Sequence, residues 1–176
     1  MKNLNNKSGI TLIALIITII VILILAGISV KEGTSLIKKA KIESIMTNMI
    51  TIKANAKGYA EEINAEIWDL SEEEKANKRT ELFESKYKMT ALDSGTIESK
   101  VDSSIKENGC VAYNITKDTL EDMGMSDLAN QTENGEFVVV YNKNDFSKLE
   151  IVYPSGIPYE KSTYWTLSEL QNKIEE

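Results

Sequence analysis

An unbroken apolar run close to the N-terminus limits what this chain can fold into. The run extends from Ile10 to Val30, directly after Lys7-Ser8-Gly9, and no charged residue interrupts it before Lys31. As a helix its 21 residues span roughly 31 Å, which matches the hydrocarbon core of a bilayer. The hydroxyls of Thr11, Thr18 and Ser29 are expected to bond to carbonyls one turn back. The sequence therefore predicts an apolar helix of membrane-spanning length.

Three interpretations of this run compete. A secretory signal peptide has an apolar core of about 7–15 residues followed by a small-residue cleavage site. This run is longer, although Ala26-Gly27-Ile28-Ser29 offers a tolerable cleavage site. A plain single-pass anchor explains the length but not the glycine in front of it. The third interpretation is a helix that is cut at its front edge and then retained for assembly.

The lysines around the run do not settle its orientation. Lys2 and Lys7 precede it, whereas four lysines follow it: Lys31, Lys38, Lys39 and Lys41. Because cytoplasmic flanks carry the excess of positive charge, this count alone would place the C-terminal side in the cytoplasm. The orientation has to come from another feature.

The residues around Gly9 resemble a known signal. A short basic leader ending in Lys7-Ser8-Gly9, followed by Ile10-Thr11-Leu12-Ile13 and an apolar helix, is similar to a type IV prepilin N-terminus. It is similar in particular to pilin-like proteins of Gram-positive bacteria, and the resemblance covers roughly residues 2–30. It implies that a prepilin peptidase cuts after Gly9 on the cytoplasmic side and methylates the new amine of Ile10. The helix would stay in the membrane and later pack at the centre of a filament.

The resemblance also implies a domain organisation and a set of partners. Residues 1–9 would be the leader, residues 10–30 the transmembrane and assembly helix, and residues 31–176 an extracellular pilin-like head. The expected partners are the prepilin peptidase, other pilin or pseudopilin subunits, an inner assembly platform and the membrane. The protein would be a single-pass cell-membrane protein with its C-terminal domain outside, and a component of a cell-surface filament after assembly.

The sequence departs from the family pattern at two positions. The family usually has Phe at the first mature position and Glu at the fifth, where this chain has Ile10 and Ala14. The family's glutamate is thought to attract the terminal amine of a neighbouring subunit. Since a lone carboxylate in the apolar core costs about 2.5–3.5 kcal/mol, its absence eases membrane insertion but weakens register selection. A minor or tip subunit fits this change, and so does a lineage that sets register by packing alone.

Apolar residues continue at helical spacing beyond the run. They recur in steps of three and four, which predicts one long helix from about Ile10 to Ile67 with an amphipathic second half. Gly33 and Gly58 are weak points, each costing about 1 kcal/mol relative to Ala. The stripe consists of Ile42, Ile45, Met46, Met49, Ile52, Ala56, Tyr59, Ala60, Ile63 and Ile67.

Two capping-box patterns predict further helices. Ser71 with Glu74 starts one that is expected to reach about Lys88, and Thr166 with Glu169 starts one that ends near Ile174. The acids of residues 72–74 suit a helix N-terminus better than a metal site, because consecutive helical positions do not converge on one ion. The first of these helices is expected to bury Leu82, Phe83 and Tyr87.

The remaining segments predict a small sheet with short helices. Val111–Ile115 is expected to be a strand, and Thr116–Met123 a helix that stops at Gly124. Residues 136–141 and 148–153 form a hairpin pattern, with Leu149, Ile151 and Tyr153 on one face. The spacing of Ile97, Val101 and Ile105 predicts another short helix, and the sheet is expected to end at Pro154, Gly156 and Pro158. The fold class is α+β, a long helix packed on a small antiparallel sheet with short helices.

The composition of the chain excludes several classes of function. A formal charge of −7 argues against nucleic acid binding, which needs a basic surface. The chain has no histidine and one cysteine, so Ser-His and Cys-His catalysis and an intramolecular disulfide are excluded. Cys110 fits a small buried residue better than a reactive thiol.

The sequence therefore favours a structural protein without a cofactor. It contains no phosphate loop, nucleophile elbow or metal-ligand spacing, which disfavours an exported enzyme. An aromatic tail segment is expected to pack over the sheet, a contact with a partner or sugar being the alternative: Tyr153, Tyr159, Tyr164 and Trp165. The rival to a pilus or pseudopilus subunit is an unprocessed, membrane-anchored extracellular binding module.

Overall fold

The computed structural model of the protein describes the backbone of residues 7–175 and the side chains of residues 15–22, 36–95 and 97–174. The chain divides into two compact units, Met1–Glu43 and Ser44–Glu176. The fold class is α+β, as predicted. The described residues form a five-stranded antiparallel sheet and several helices, one of them long.

The long helix begins at Lys7 and ends at Glu66, one residue before the predicted end. Two 3₁₀ turns lie at Ser94–Thr96 and Glu98–Lys100. The α-helices are α1 (Lys7–Glu66), α2 (Glu72–Ser85), α3 (Ser103–Lys106), α4 (Lys117–Asp122), α5 (Ser126–Gln131) and α6 (Leu167–Glu175).

Each strand of the sheet pairs with the next one along the chain. The pairing is antiparallel throughout, so short connections suffice. The predicted hairpin forms its centre, where Val139 faces Ile151 and Tyr141 faces Leu149. The strands are β1 (Thr90–Leu92), β2 (Cys110–Asn114), β3 (Val138–Asn142), β4 (Leu149–Tyr159) and β5 (Ser162–Thr166).

Both faces of the central strand β3 are covered by other parts of the protein. The sequence predicted only one apolar face for the hairpin. Every residue of β3 is buried. Val138 and Val140 belong to a cluster with Ile97, Val101 and Ile105, whereas the next residue, Tyr141, donates a hydrogen bond to a carbonyl of α1. Successive strand residues point to opposite faces. The segment between β1 and β2 therefore covers one face, and α1 covers the other.

The predicted helix through Ile97, Val101 and Ile105 is wrong. Residues 94–106 instead form the two 3₁₀ turns and the one-turn α3. Val101 is extended (φ −95°, ψ 155°), and the side chain of Asp102 accepts from the Ser104 N–H to start α3. The four-residue spacing therefore reflects burial in one cluster and not a continuous helix.

The predicted end of the sheet is also wrong, because β4 continues through Pro154, Gly156 and Pro158. Its pairing with β5 is irregular between Val152 and Ile157, which makes this segment a bulge. Gly156 has φ +73°, and a Cβ there would lie 2.6 Å from Cγ2 of Thr163. The irregular segment accommodates Pro154 and Gly156 without ending the strand, and Pro158 beyond it pairs with Thr163.

The local helix signals agree with the structure. Ser71 and Glu74 form the predicted capping box of α2, and Thr166 and Glu169 exchange the corresponding bonds at the start of α6. However, α2 ends at Ser85 and not at Lys88. Lys88 has φ +57°, so the chain leaves the helical conformation before the predicted end.

Candidate assembly surface

The described part of the apolar run exposes apolar side chains on all sides of α1. Residues 15–22 fill more than two helical turns, and only Thr18 among them is not a large hydrophobe. A helix that is apolar all round needs lipid or other apolar helices around it. The exposed fractions are Leu15 60%, Ile16 48%, Ile17 55%, Ile19 49%, Ile20 50%, Val21 47% and Ile22 63%.

Thr18 does not interrupt this apolar surface. Its hydroxyl donates to the carbonyl of Leu15 at 2.8 Å, which confirms the predicted bond one turn back. Because the hydroxyl is satisfied within the helix, it needs neither water nor a partner chain.

The predicted processing positions lie where only the backbone is described. Gly9, Ile10 and Ala14 are part of α1, but their side chains lie outside the described residues. Residues 1–6 of the predicted leader lie outside them altogether.

Among the described residues, no helix meets the length and hydropathy that a membrane crossing requires.

In the second unit the predicted apolar stripe of α1 faces the protein interior. Ile45, Met46 and Tyr59 are only half-buried, so the contact surface is narrower than the stripe. The fully buried positions, each 0–1% exposed, are Met49, Ile52, Ala56, Ala60, Ile63 and Ile67.

One buried hydrogen bond joins this stripe to the sheet. The hydroxyl of Tyr141 on β3 donates to the carbonyl of Ala56 at 2.8 Å. Burial raises the pKa of Tyr141 well above its ordinary value, so the phenol keeps the proton that it donates. Ala56 leaves room for this approach, because a larger side chain there would fill the gap between helix and sheet.

A buried carboxylate joins α1, β4 and α6. Glu150 is 3% exposed, and its Oε1 lies 3.6 Å from Nζ of Lys53 on α1. The same oxygen accepts the N–H of Ile151 at 3.0 Å, and the other oxygen accepts the hydroxyl of Ser168 on α6. Because β5 pairs with β4 only from Val152 onward, the Ile151 N–H has no partner on β5. The Glu150 carboxylate accepts its hydrogen bond instead. The carboxylate is engaged on both oxygens and is structural.

The end of α1 is fixed to the chain after α2 by a tyrosine pair. The rings of Tyr59 and Tyr87 stack with centroids 3.9 Å apart, and the Tyr87 hydroxyl donates to Glu62. Burial, followed by this bond to Glu62, raises the pKa of Tyr87 to about 12. Lys86 Nζ lies 3.4 Å from carboxylate oxygens of both Glu62 and Glu66. These contacts hold the stripe in place.

The aromatic residues of the tail segment lie within β4 and β5 and so form part of the sheet, whereas the sequence predicted that they pack over it. Tyr153 packs edge-on against Phe137, with ring centroids 5.4 Å apart, and its hydroxyl donates to Glu136 at 2.6 Å. Trp165 packs against the cluster of Ile97 and its neighbours, and Nζ of Lys100 lies 4.0 Å from its ring centroid. An open depression of about 380 Å³ lies beside Tyr153. Glu136 in its lining is bonded to Tyr153.

The described residues contain no arrangement for metal binding. No three His, Cys, Asp or Glu side chains among them lie close enough to share an ion. Every buried polar side-chain atom described has a hydrogen-bond partner. Cys110 is half-buried on β2 and packs against the Ile97 cluster, and burial raises the pKa of its thiol. It packs against the core, but it is less buried than the sequence predicted.

Sequence reasoning missed the network of Glu150. A charged residue between Leu149 and Ile151 fits the polar face of a half-exposed strand, and the sequence does not show that β5 starts its pairing later. The only sign of the network in the sequence is that Glu150 lies inside the β-rich run of residues 148–153.

Comparison of the chain with protein-family models, curated proteins and solved structures finds no match.

Proposed function

We propose that the protein is a subunit of a type IV pilus or secretion pseudopilus, processed after Gly9 and assembled through its apolar N-terminal helix. One observation carries the proposal. The apolar run begins directly behind Lys7-Ser8-Gly9, and its described residues 15–22 leave no polar face on the helix. A helix of this kind gains stability only among lipids or other apolar helices.

The second unit supports a pilin-like head. The amphipathic half of α1 lies against a five-stranded sheet, held there by the bonds from Tyr141 to Ala56 and from Lys53 to Glu150. A head fixed along a helix can present a constant surface to neighbouring subunits. In this proposal the head faces outward, the helix sits first in the membrane and then in the filament, and the partners are a prepilin peptidase, other pilins and an assembly platform.

Ala14 favours a minor or tip subunit. The position carries no carboxylate that could attract the terminal amine of a neighbour. A subunit at the tip needs such an attraction on one side only. The same residue is compatible with a filament whose register depends on packing elsewhere.

Intact-mass analysis of membrane and filament fractions tests the proposal. The mature chain should begin at Ile10 and carry one extra methyl group on its amine. Gly9→Val should block the cut because a branched side chain does not fit where the peptidase accepts glycine, whereas Gly33→Ala should be processed normally.

The N-terminus of the recovered chain separates the alternatives. A chain that starts at Met1 would contradict processing and favour the unprocessed, membrane-anchored binding module. A chain that starts near Ile28 would instead indicate a secretory signal peptide.

A further inference from the structure

The loop that follows α1 exposes a tryptophan among acidic side chains. Trp68 is 75% exposed, which is unusual for so large an apolar side chain. Asp69 and Glu73, on either side of the α2 cap, are exposed and form no ion pair with a described residue. We call residues 68–73 the tryptophan loop.

A segment of the first unit has the complementary character. Leu36 and Ile37 are 67% and 70% exposed. Lys38 and Lys41 are exposed and form no ion pair within the described residues, whereas Lys39 Nζ lies 3.9 Å from a Glu43 oxygen. We call residues 36–41 the basic segment.

We propose that the tryptophan loop of one subunit binds the basic segment of a second copy of this chain. Trp68 would contact Ile37, which lies on the same side of α1 as Lys38 and Lys41. Asp69 and Glu73 would lie opposite these two lysines. Tryptophan often dominates the energy of an interface, and the surrounding charges select partner and register. This proposal rests on the proposed function, because it needs copies aligned in one assembly.

The two surfaces differ, so the contact is heterologous. Each copy offers one tryptophan loop and one basic segment, and a contact of this type repeats along an open filament. It would also supply the charge-based register that Ala14 cannot supply. The lysines could instead lie against anionic lipid headgroups, and the experiment separates that case.

Cross-linking in the full-length protein tests the contact. Ala40 lies within the basic segment and Ala65 lies three residues before the tryptophan loop; both are exposed, and neither belongs to the proposed apolar or charged contacts. In a Cys110→Ala background, differently tagged chains carrying Ala40→Cys and Ala65→Cys are co-expressed and treated with a short bis-maleimide reagent. We expect a cross-linked dimer that carries both tags, called here the two-tag product. Much less of it should form when Ala54→Cys, at another exposed alanine, replaces Ala65→Cys.

Charge exchange makes the test specific. Lys38→Glu with Lys41→Glu should lower the two-tag product about tenfold, because two attractions become repulsions. Asp69→Lys with Glu73→Lys in the other chain should restore it. Lys57→Glu and Glu84→Lys, at exposed positions outside both surfaces, should leave the product unchanged.

The outcomes distinguish this inference from the proposed function. Processed chains in sheared filaments that give no two-tag product would overturn the contact and leave the pilin proposal standing. If the lysine-to-glutamate exchange removes the product and Asp69→Lys with Glu73→Lys does not restore it, the lysines contact lipid, and the proposed contact is overturned as well. Chains that keep Met1 and never enter filaments would contradict the proposed function, and this contact with it.

Discussion

Two described stretches of α1 share one helical geometry but differ in what covers them. Residues 15–22 are apolar on every side and exposed on every side. In the second unit, Met49, Ile52, Ala56, Ala60 and Ile63 are buried along a single stripe, while Ile50 between them stays 43% exposed. The difference shows that the spacing of apolar residues along a helix decides whether the rest of the chain can bury them. A helix with one apolar face packs on its own sheet, whereas a helix without a polar face depends on its surroundings.

Deleting the first stretch should have the largest effect. A chain that begins at Lys31 keeps the stripe and its sheet but loses the apolar run, so we expect a soluble monomer with a cooperative thermal transition. Gel filtration and calorimetry check both properties. If the shortened chain aggregates persistently, the stripe needs partner helices as well, and the contrast between the two stretches fails.

Within the stripe, truncating one buried residue should cost far more than truncating its exposed neighbour. Ile52→Ala leaves a cavity at a fully buried site and should lower the free energy of unfolding by about 2–5 kcal/mol. Ile50→Ala, the matched control, should cost less than about 1 kcal/mol. Denaturant unfolding in mild detergent measures the two. Equal effects would mean that α1 does not pack on the sheet through this stripe.

Much of the second unit could be predicted because its signals are local. The caps at Ser71 and Thr166 depend on side chains three residues away, and the stripe of α1 depends on its period alone. The course of β4 through Pro154 and Gly156 could not be predicted, because it depends on β5 and on the close approach of Trp165 to Gly156. Likewise the pairing of Lys53 with Glu150 joins residues far apart in the sequence. The predicted site residues Gly9, Ile10 and Ala14 come from a resemblance and stay predictions.

Removing the hydroxyl that joins stripe and sheet should have a smaller effect. Tyr141→Phe deletes the bond to the Ala56 carbonyl, and at neutral pH it should cost about 0.5–1.5 kcal/mol. The folded pKa of Tyr141 lies above its ordinary value of 10.0, so its contribution is complete below that pH and is lost as pH rises through the folded pKa. The free energy of unfolding should therefore fall less steeply with rising pH in the variant. An unchanged profile would show that Tyr141 ionises without unfolding the protein.

The smallest effect is expected in the first stretch, at Ala14. A glutamate there could pair with the terminal amine of a neighbouring subunit, and an ion pair gains much more outside water than in it. Desolvation of both charges cancels much of that gain, so the pair would improve register more than stability. Ala14→Glu should raise incorporation modestly, which immunogold labelling of sheared filaments can compare with the unmutated protein and with Ala14→Gln as the uncharged control. The unmutated protein should label sparsely or at tips. Dense labelling along the whole filament would refute the minor-subunit proposal, and helix packing together with the contact of the tryptophan loop would then have to set the register.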